Sequence, residues 1–584
     1  MPSDTSPMHS ELNLGGHLDA LALCSIGLAV LCTAPGLSLP PVVLAALTGG
    51  GGGWLGYRLF RVMMKGHTLE SKAAIQSDTP DTREGTETCL LGYTTDDGLP
   101  VYIPDNENYG HRFIIGQSGV GKTTFANFVA MQQIQRGGGL LSINGKLDDE
   151  DLQTIYRMAR YHGREKDILV LNAGDPKQSN TYNPILYGDS DEVAARVLSL
   201  IPSTETNPGA DYYKQSANQG IATLVAALQK AKFAYNFMDL TILLQSPKAL
   251  DYLERAVAAK IRNAKELTNL QLFTSQFRTA QGRGGEAVID MKKLKEVFGG
   301  IGGRMYMFAT NNFGEVLNSY NPELSIYDAI MDRKLVYVML PTMGKDIAAS
   351  NLGKLVVADY RTAISWVQAR PKRERPSPYT LALFDEAGSY VTDSFNRIFE
   401  QSRTAHQMLN ILVQTKANLD AISDELREMV LGNTWTKVFF KIGTPESAEM
   451  AAEVIGKHRA IYRSLQETGG GGRSAMTTNG MPDSSATMTM NLGMGQTERE
   501  DFIVAPRTLM GLDRGEAVVL RGGKTLYSIR VPQIEFDKKY IAEAGRFEVN
   551  RFDTPPVRGI ELYKKIGDFL DTETRQQLEN QARR

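Results

Sequence analysis

The sequence predicts an α/β fold with a mainly parallel sheet, interrupted by an all-α domain and preceded by a two-helix transmembrane hairpin. Three observations carry this expectation. Short apolar runs alternate with helical stretches around a complete phosphate-binding loop, a long strand-poor segment separates two such groups, and a charge-free run lies near the N-terminus. At 584 residues the chain exceeds one ordinary domain. It divides into a tail and membrane hairpin (residues 1–65), a connector (66–110), a nucleotide-binding domain in two pieces (111–188 and 328–535), an inserted helical domain (189–327) and a C-terminal helical tail (536–584).

From Ala20 to Tyr57 there is no charged residue, and Pro35, Pro40 and Pro41 break the run near its middle, so Leu21 to Ala34 and Val42 to Phe60 read as two membrane helices. Arg58, Arg61, Lys65 and Lys72 follow directly, which assigns the bulk of the chain to the cytoplasm. A cleaved signal peptide fits less well, because Met1 to Asp19 holds Asp4, Glu11 and Asp19 and no Lys or Arg. The Gly49 to Gly53 run either lets helices approach closely or breaks the second one.

After the polar connector, in which Val101 to Ile103 is the one evident strand, comes Phe113-Ile114-Ile115 and then Gly-Gln-Ser-Gly-Val-Gly-Lys-Thr, Gly116 to Thr123. The pattern needs glycines because the backbone must wind close to phosphate oxygens with its N–H groups turned inward. The expected nucleotide contacts are Gly116, Gln117, Ser118, Gly119, Val120, Gly121, Lys122, Thr123 and Thr124, with Lys122 reaching the β- and γ-phosphates of ATP and Thr123 ligating Mg²⁺.

The second half of such a site is expected at the end of another buried strand. Leu381 to Phe384 is wholly apolar and ends in Asp385-Glu386, placing Asp385 on Mg²⁺ and Glu386 on the attacking water. Leu409 to Val413 ends in Gln414, where a γ-phosphate sensor sits in motor ATPases. Leu140 to Ile143, Ile168 to Leu171 and Leu335 to Leu340 supply further strands, and Asp151 to His162 a helix between the first two.

Between the two strand groups, Ile221, Leu224, Val225 and Leu228 mark helical periodicity in the insert. Its stretch with Lys260, Arg262, Lys265, Arg278, Arg283, Lys292, Lys293, Lys295 and Arg304 is either a solvated helix surface or a nucleic-acid contact. Thr468 to Met494, mostly Gly, Ser, Thr and Met, reads as a mobile loop. A hairpin is expected around Gly522-Gly523, and a final helix with Leu562, Ile566, Phe569 and Leu570 on one face. The net charge of −2 excludes a bulk positive field, and three cysteines without C-x-x-C exclude a zinc module and a disulfide framework.

Taken together, the membrane hairpin, Gly116 to Thr123, Tyr182-Asn183-Pro184 ahead of the insert, Asp385-Glu386, Gln414 and Leu431 to Thr434 leading into the strand Thr436 to Ile442 resemble the type IV secretion coupling proteins of the TraD/TraG group. The resemblance implies a RecA-like hexameric ATPase on the bacterial inner membrane that works with other secretion components to move single-stranded DNA with its relaxase, or protein effectors. It also implies an arginine reaching a neighbouring subunit's site, a place that Arg403 fits. Two features depart from many members: the loop between the membrane helices is short, and the turn after the second strand reads Asn144-Gly145-Lys146 in place of one containing Asp. The competing readings are an FtsK/HerA-type translocase on double-stranded DNA and a nucleotide-binding platform that assembles protein cargo.

Overall fold

The computed structural model describes residues 75–569, apart from 76, 86, 202–207, 281–286, 393–394 and 474–485. The expected membrane hairpin lies outside these residues, and among the described ones no helix is long and apolar enough to cross a membrane.

The strands in the first half are β1 (Thr88–Thr94), β2 (Pro100–Pro104), β3 (Arg112–Ile115), β4 (Leu140–Asn144), β5 (Ile168–Asn172), β6 (Arg278–Ala280) and β7 (Ala287–Ile289). Those in the second are β8 (Leu335–Met339), β9 (Thr380–Asp385), β10 (Gln407–Val413), β11 (Thr436–Phe440), β12 (Lys457–Arg473), β13 (Ala486–Phe502), β14 (Glu516–Arg521) and β15 (Thr525–Arg530). One sheet runs β2-β1-β15-β14-β11-β3-β10-β9-β4-β8-β5. From β11 to β5 every neighbouring pair is parallel, and from β2 to β11 every pair is antiparallel. This is the α/β, mainly parallel sheet the sequence predicts.

β3, β4, β5 and β8 are buried at every position, which is why they read as mainly apolar runs. Alternate side chains enter different cores. Phe113 and Ile115 pack with the insert and the helix Asp346–Ala369, whereas Ile114 packs with Phe125 and Val129 of the helix Lys122–Gln135 and with Ile155 of Asp149–Tyr161.

The insert begins at a capping box in which Asp189 and Glu192 satisfy the first turn of the helix Ser190–Leu198. Ile221, Leu224, Val225 and Leu228 are fully buried along Pro208–Lys230. Asn183 holds the entry step, donating from Nδ2 to the Tyr235 and Ser319 carbonyls, both at 2.9 Å. Tyr182 and Arg196 both reach the Asp359 carboxylate, at 2.7 and 2.8 Å, tying the insert to the helix Asp346–Ala369. Among its described residues, the insert's regular structure is helical apart from the short ribbon β6–β7 and isolated bridges at Ala234 and Leu324.

Three expectations need correction. The connector contributes β1 as well as β2, and both join the nucleotide sheet through β15. A register shift between Leu90 and Gly92 breaks the alternation that would have revealed β1. The segment read as a loop from Thr468 is instead strand up to Arg473 and again from Ala486, with β12 and β13 paired as a separate two-stranded ribbon. Its ladder is made of backbone hydrogen bonds, which a Gly-, Thr- and Met-rich stretch forms without an apolar signature. Finally, the described part of the tail, residues 536–569, is not mainly helical. Apart from Lys538–Ala544, the 3₁₀ turn Leu562–Lys565 and the short helix Ile566–Phe569, it is an extended strap, and residues 570–584 lie outside the described ones.

The strap crosses from the β5 edge to the insert. Asn550 Nδ2 donates to the Glu165 and Ile168 carbonyls at 2.9 and 3.0 Å. Farther on, Ala234 N–H donates to Arg558 O and Ile560 N–H to Ala234 O. Leu562 N–H then donates to Asp239 Oδ1 at 2.9 Å. The Asp239 side chain is fully buried, and burial pushes its pKa from 3.8 up to about 6 against the hydrogen bonds it accepts.

The folded chain therefore holds this proton more tightly than an unfolded one. Its contribution to stability is complete below 3.8 and is lost as pH rises through about 6. Asp239→Asn is expected to remove part of the fall in thermal midpoint across that window, as read by calorimetry at a series of pH values. An unchanged slope would show that Asp239 does not titrate there.

Candidate nucleotide-binding site

Gly116 to Thr123 leaves β3 and runs straight into the helix Lys122–Gln135. Gly119 and Gly121 take φ values of 76° and 115°, in the left-handed region that favours glycine, and a Cβ on Gly116 would stand 2.6 Å from the Phe440 Cβ. The loop is pinned on several sides. Gly116 N–H donates to Val413 O at 3.3 Å, Gln117 N–H to Lys441 O at 2.9 Å, and Val120 O accepts from Gly515 N–H at 2.9 Å. No side chain caps the helix, which leaves the N–H groups of its first turn to an anion. These residues fit a triphosphate.

Lys122 is buried, and its ammonium donates to the Gly116 and Gln117 carbonyls at 2.5 and 2.9 Å. Burial lowers its pKa, opposed by the Asp385 and Glu386 carboxylates. Asp385 ends β9 with its Oδ2 3.5 Å from Thr123 Oγ1. Burial, then the adjacent Glu386, pushes its pKa up to about 6, so a cation placed between Asp385 and Thr123 would favour the ionised form. A hydroxyl and one carboxylate suit Mg²⁺, which takes its other ligands from phosphate and water.

Glu386 sits at φ 54°, an uncommon conformation for a residue with a side chain, held here by a tight turn. Tyr390 fixes that turn, its hydroxyl 3.0 and 3.1 Å from the Asp385 and Ile143 carbonyl oxygens. Gln414, just past β10, donates from Nε2 to Glu386 Oε1 at 3.2 Å. Because β10 lies between β3 and β9, the phosphate loop, Gln414 and the two carboxylates all emerge at one edge of the sheet.

Arg403 is not brought to this cluster. It lies in the turn before β10, exposed, with Nη2 3.3 Å from Asn106 O, at the end where β3 and β10 begin. The basic stretch of the insert is also partly used internally. Arg278 pairs with Asp251 and Glu254, Lys260 donates to Ala231 O, and Arg304 to Leu200 O. Arg262, Lys265, Lys292, Lys293 and Lys295 remain exposed, while Arg283 lies outside the described residues.

A family model described as the TraM recognition site of TraD and TraG matches residues 380–492, a span that holds Asp385, Glu386 and Gln414. The type 4 coupling protein DotL of Legionella pneumophila is 24% identical over 396 residues, which cover 60% of this chain and 49% of DotL. The chain resembles type IV coupling proteins. It spans about half the length of that curated relative. Among solved structures, the plasmid coupling protein TrwB in complex with ADP and Mg²⁺ is similar with a TM-score of 0.49 and 14% identity, covering 78% of this chain and 91% of TrwB. VirB4 of Thermoanaerobacter pseudethanolicus gives a TM-score of 0.43 and 12% identity, over 78% of this chain and 99% of that one.

The turn Asn144-Gly145-Lys146, without an account at the sequence level, has a structural one. Asn144 Oδ1 accepts the Lys146 N–H at 3.0 Å, as an aspartate would, but its Nδ2 also lies 3.3 Å from the Tyr337 hydroxyl. That hydroxyl donates to Asp151 Oδ2 at 2.6 Å, and Asn127 Nδ2 donates to Asp151 Oδ1 at 2.6 Å. Burial raises the Asp151 pKa. A second carboxylate at position 144 would meet this one inside the same network, so an amide belongs there.

Asn144→Asp is expected to cost about 1–3 kcal/mol of stability, read from denaturant or thermal unfolding. Adding Asp151→Asn should restore part of the loss. Equal stability of Asn144→Asp and the parent chain would remove this account of the turn.

Proposed function

We propose that the chain is a coupling ATPase of a type IV secretion system, a motor that hydrolyses ATP with Mg²⁺ to move single-stranded DNA and its relaxase, or protein effectors, into a secretion channel. The main support is the meeting of Lys122, Thr123, Asp385, Glu386 and Gln414 at one edge of three adjacent parallel strands. In this reading Lys122 and the loop N–H groups neutralise charge on the β- and γ-phosphates, and Thr123 and Asp385 hold Mg²⁺. Glu386 accepts the proton of the attacking water, and Gln414 orients Glu386 while sensing the γ-phosphate.

The remainder of the proposal is assembly. Two membrane helices within residues 1–65 anchor the chain in the inner membrane, with its bulk in the cytoplasm. Six copies form a ring, and Arg403, exposed at the far end of the strands from its own phosphate loop, serves a neighbouring subunit. The exposed lysines of the insert meet the DNA backbone without reading its sequence.

Glu386→Gln is expected to keep ATP binding and lose about 10²–10⁴-fold in turnover. Hydrolysis at the parental rate would sink the assignment of the base. Lys122→Ala should weaken nucleotide binding itself, and unchanged affinity in a titration would remove the site.

Turnover of the parent chain should rise with single-stranded DNA and lose that stimulation as salt increases. Indifference to DNA would favour protein cargo or the platform reading.

A further inference from the structure

Lys146 is the one basic side chain of the site cluster that the proposed reaction leaves without a role. It follows β4, which pairs with β9 so that Asn144 lies opposite Asp385. The lysine turn and the Asp385-Glu386 turn therefore leave neighbouring strands at the same edge. The Lys146 ammonium forms an ion pair with Glu386 Oε1. Gln414 Nε2 donates to that same oxygen. Donors from the strands on either side of β9 thus converge on one carboxylate oxygen.

The backbone beneath this contact is fixed. Asn144 Oδ1 holds the Lys146 N–H, and Gly145 O accepts from the Thr342 hydroxyl. A Cβ on Gly145 would lie 3.0 Å from the Glu386 Cβ and 3.1 Å from its Oε2, so glycine lets the carboxylate rest against the turn. The lysine side chain extends from this fixed backbone to its one partner in the site. It is 51% exposed against 17% for the carboxylate, so water screens the pair from the lysine side and it is worth about 1 kcal/mol. A γ-phosphate entering beside Lys122 presents a more highly charged acceptor with several oxygens.

Resting on the ATPase reading, we infer that Lys146 is a positioning residue for Glu386: it holds the carboxylate aside and exchanges it for the γ-phosphate of ATP, which ADP lacks. The exchange frees Glu386 at the moment its water has something to attack. Departure of inorganic phosphate returns Lys146 to Glu386. The device distinguishes nucleoside triphosphate from diphosphate with a side chain of the same subunit.

The inference predicts a coupling between two positions in binding alone, without turnover. A non-hydrolysable ATP analogue and ADP are titrated against the parent chain, Glu386→Gln, Lys146→Met and the double variant, with thermal unfolding confirming that each is folded. In the parent background, Glu386→Gln releases Lys146 and should raise the preference for the analogue over ADP about 5-fold. In the Lys146→Met background the same change should move that preference by less than about 2-fold, and Lys146→Arg should behave as the parent. An equal effect of Glu386→Gln in both backgrounds would overturn the exchange while leaving the nucleotide site intact. Failure of the parent chain to bind either nucleotide would overturn the site, and the inference with it.

Discussion

The constraint on which the site depends is the parallel course of β11, β3, β10, β9 and β4. Parallel neighbours end at the same edge, so whatever residues follow them are gathered in one row without any long loop to carry them there. The phosphate loop follows β3, Gln414 follows β10, the two carboxylates close β9, and the lysine turn follows β4. The order matters as much as the direction. Moving β10 out of contact with β9 would leave Gln414 unable to touch Glu386. Burial on both faces then does the electrostatic work: it raises the Asp385 pKa and lowers that of Lys122, a pair of groups that each gain from a bound cation and a bound polyanion.

What could be read in the sequence was what local chemistry makes obligatory. Glycines at 116, 119 and 121 follow from close backbone approach and positive φ, and mainly apolar runs follow from strands covered on both faces. The insert was legible because Ile221, Leu224, Val225 and Leu228 repeat at helical spacing on a buried face.

The remainder was hidden for identifiable reasons. That Lys146 meets Glu386 depends on β4 lying beside β9, an adjacency between segments 240 residues apart that no periodicity encodes. β1 was masked by its irregularity at Gly92, and β12 and β13 by a ladder that needs no apolar alternation. The strap left no signal because Asn550 and Arg551 attach it by donating to carbonyls of other segments, in an order set by the surface it crosses.

That strap has a mechanical consequence. An extended chain fastened at β5 by Asn550 and at the insert by the Ala234 and Asp239 contacts behaves as a tether: it carries tension and offers no resistance to compression. Displacing the insert away from the sheet edge would load it at once, while displacement toward the edge would leave it slack. The strap thus limits separation of the two halves but not their approach, in addition to the Asp359 contacts and the shared core that already join them.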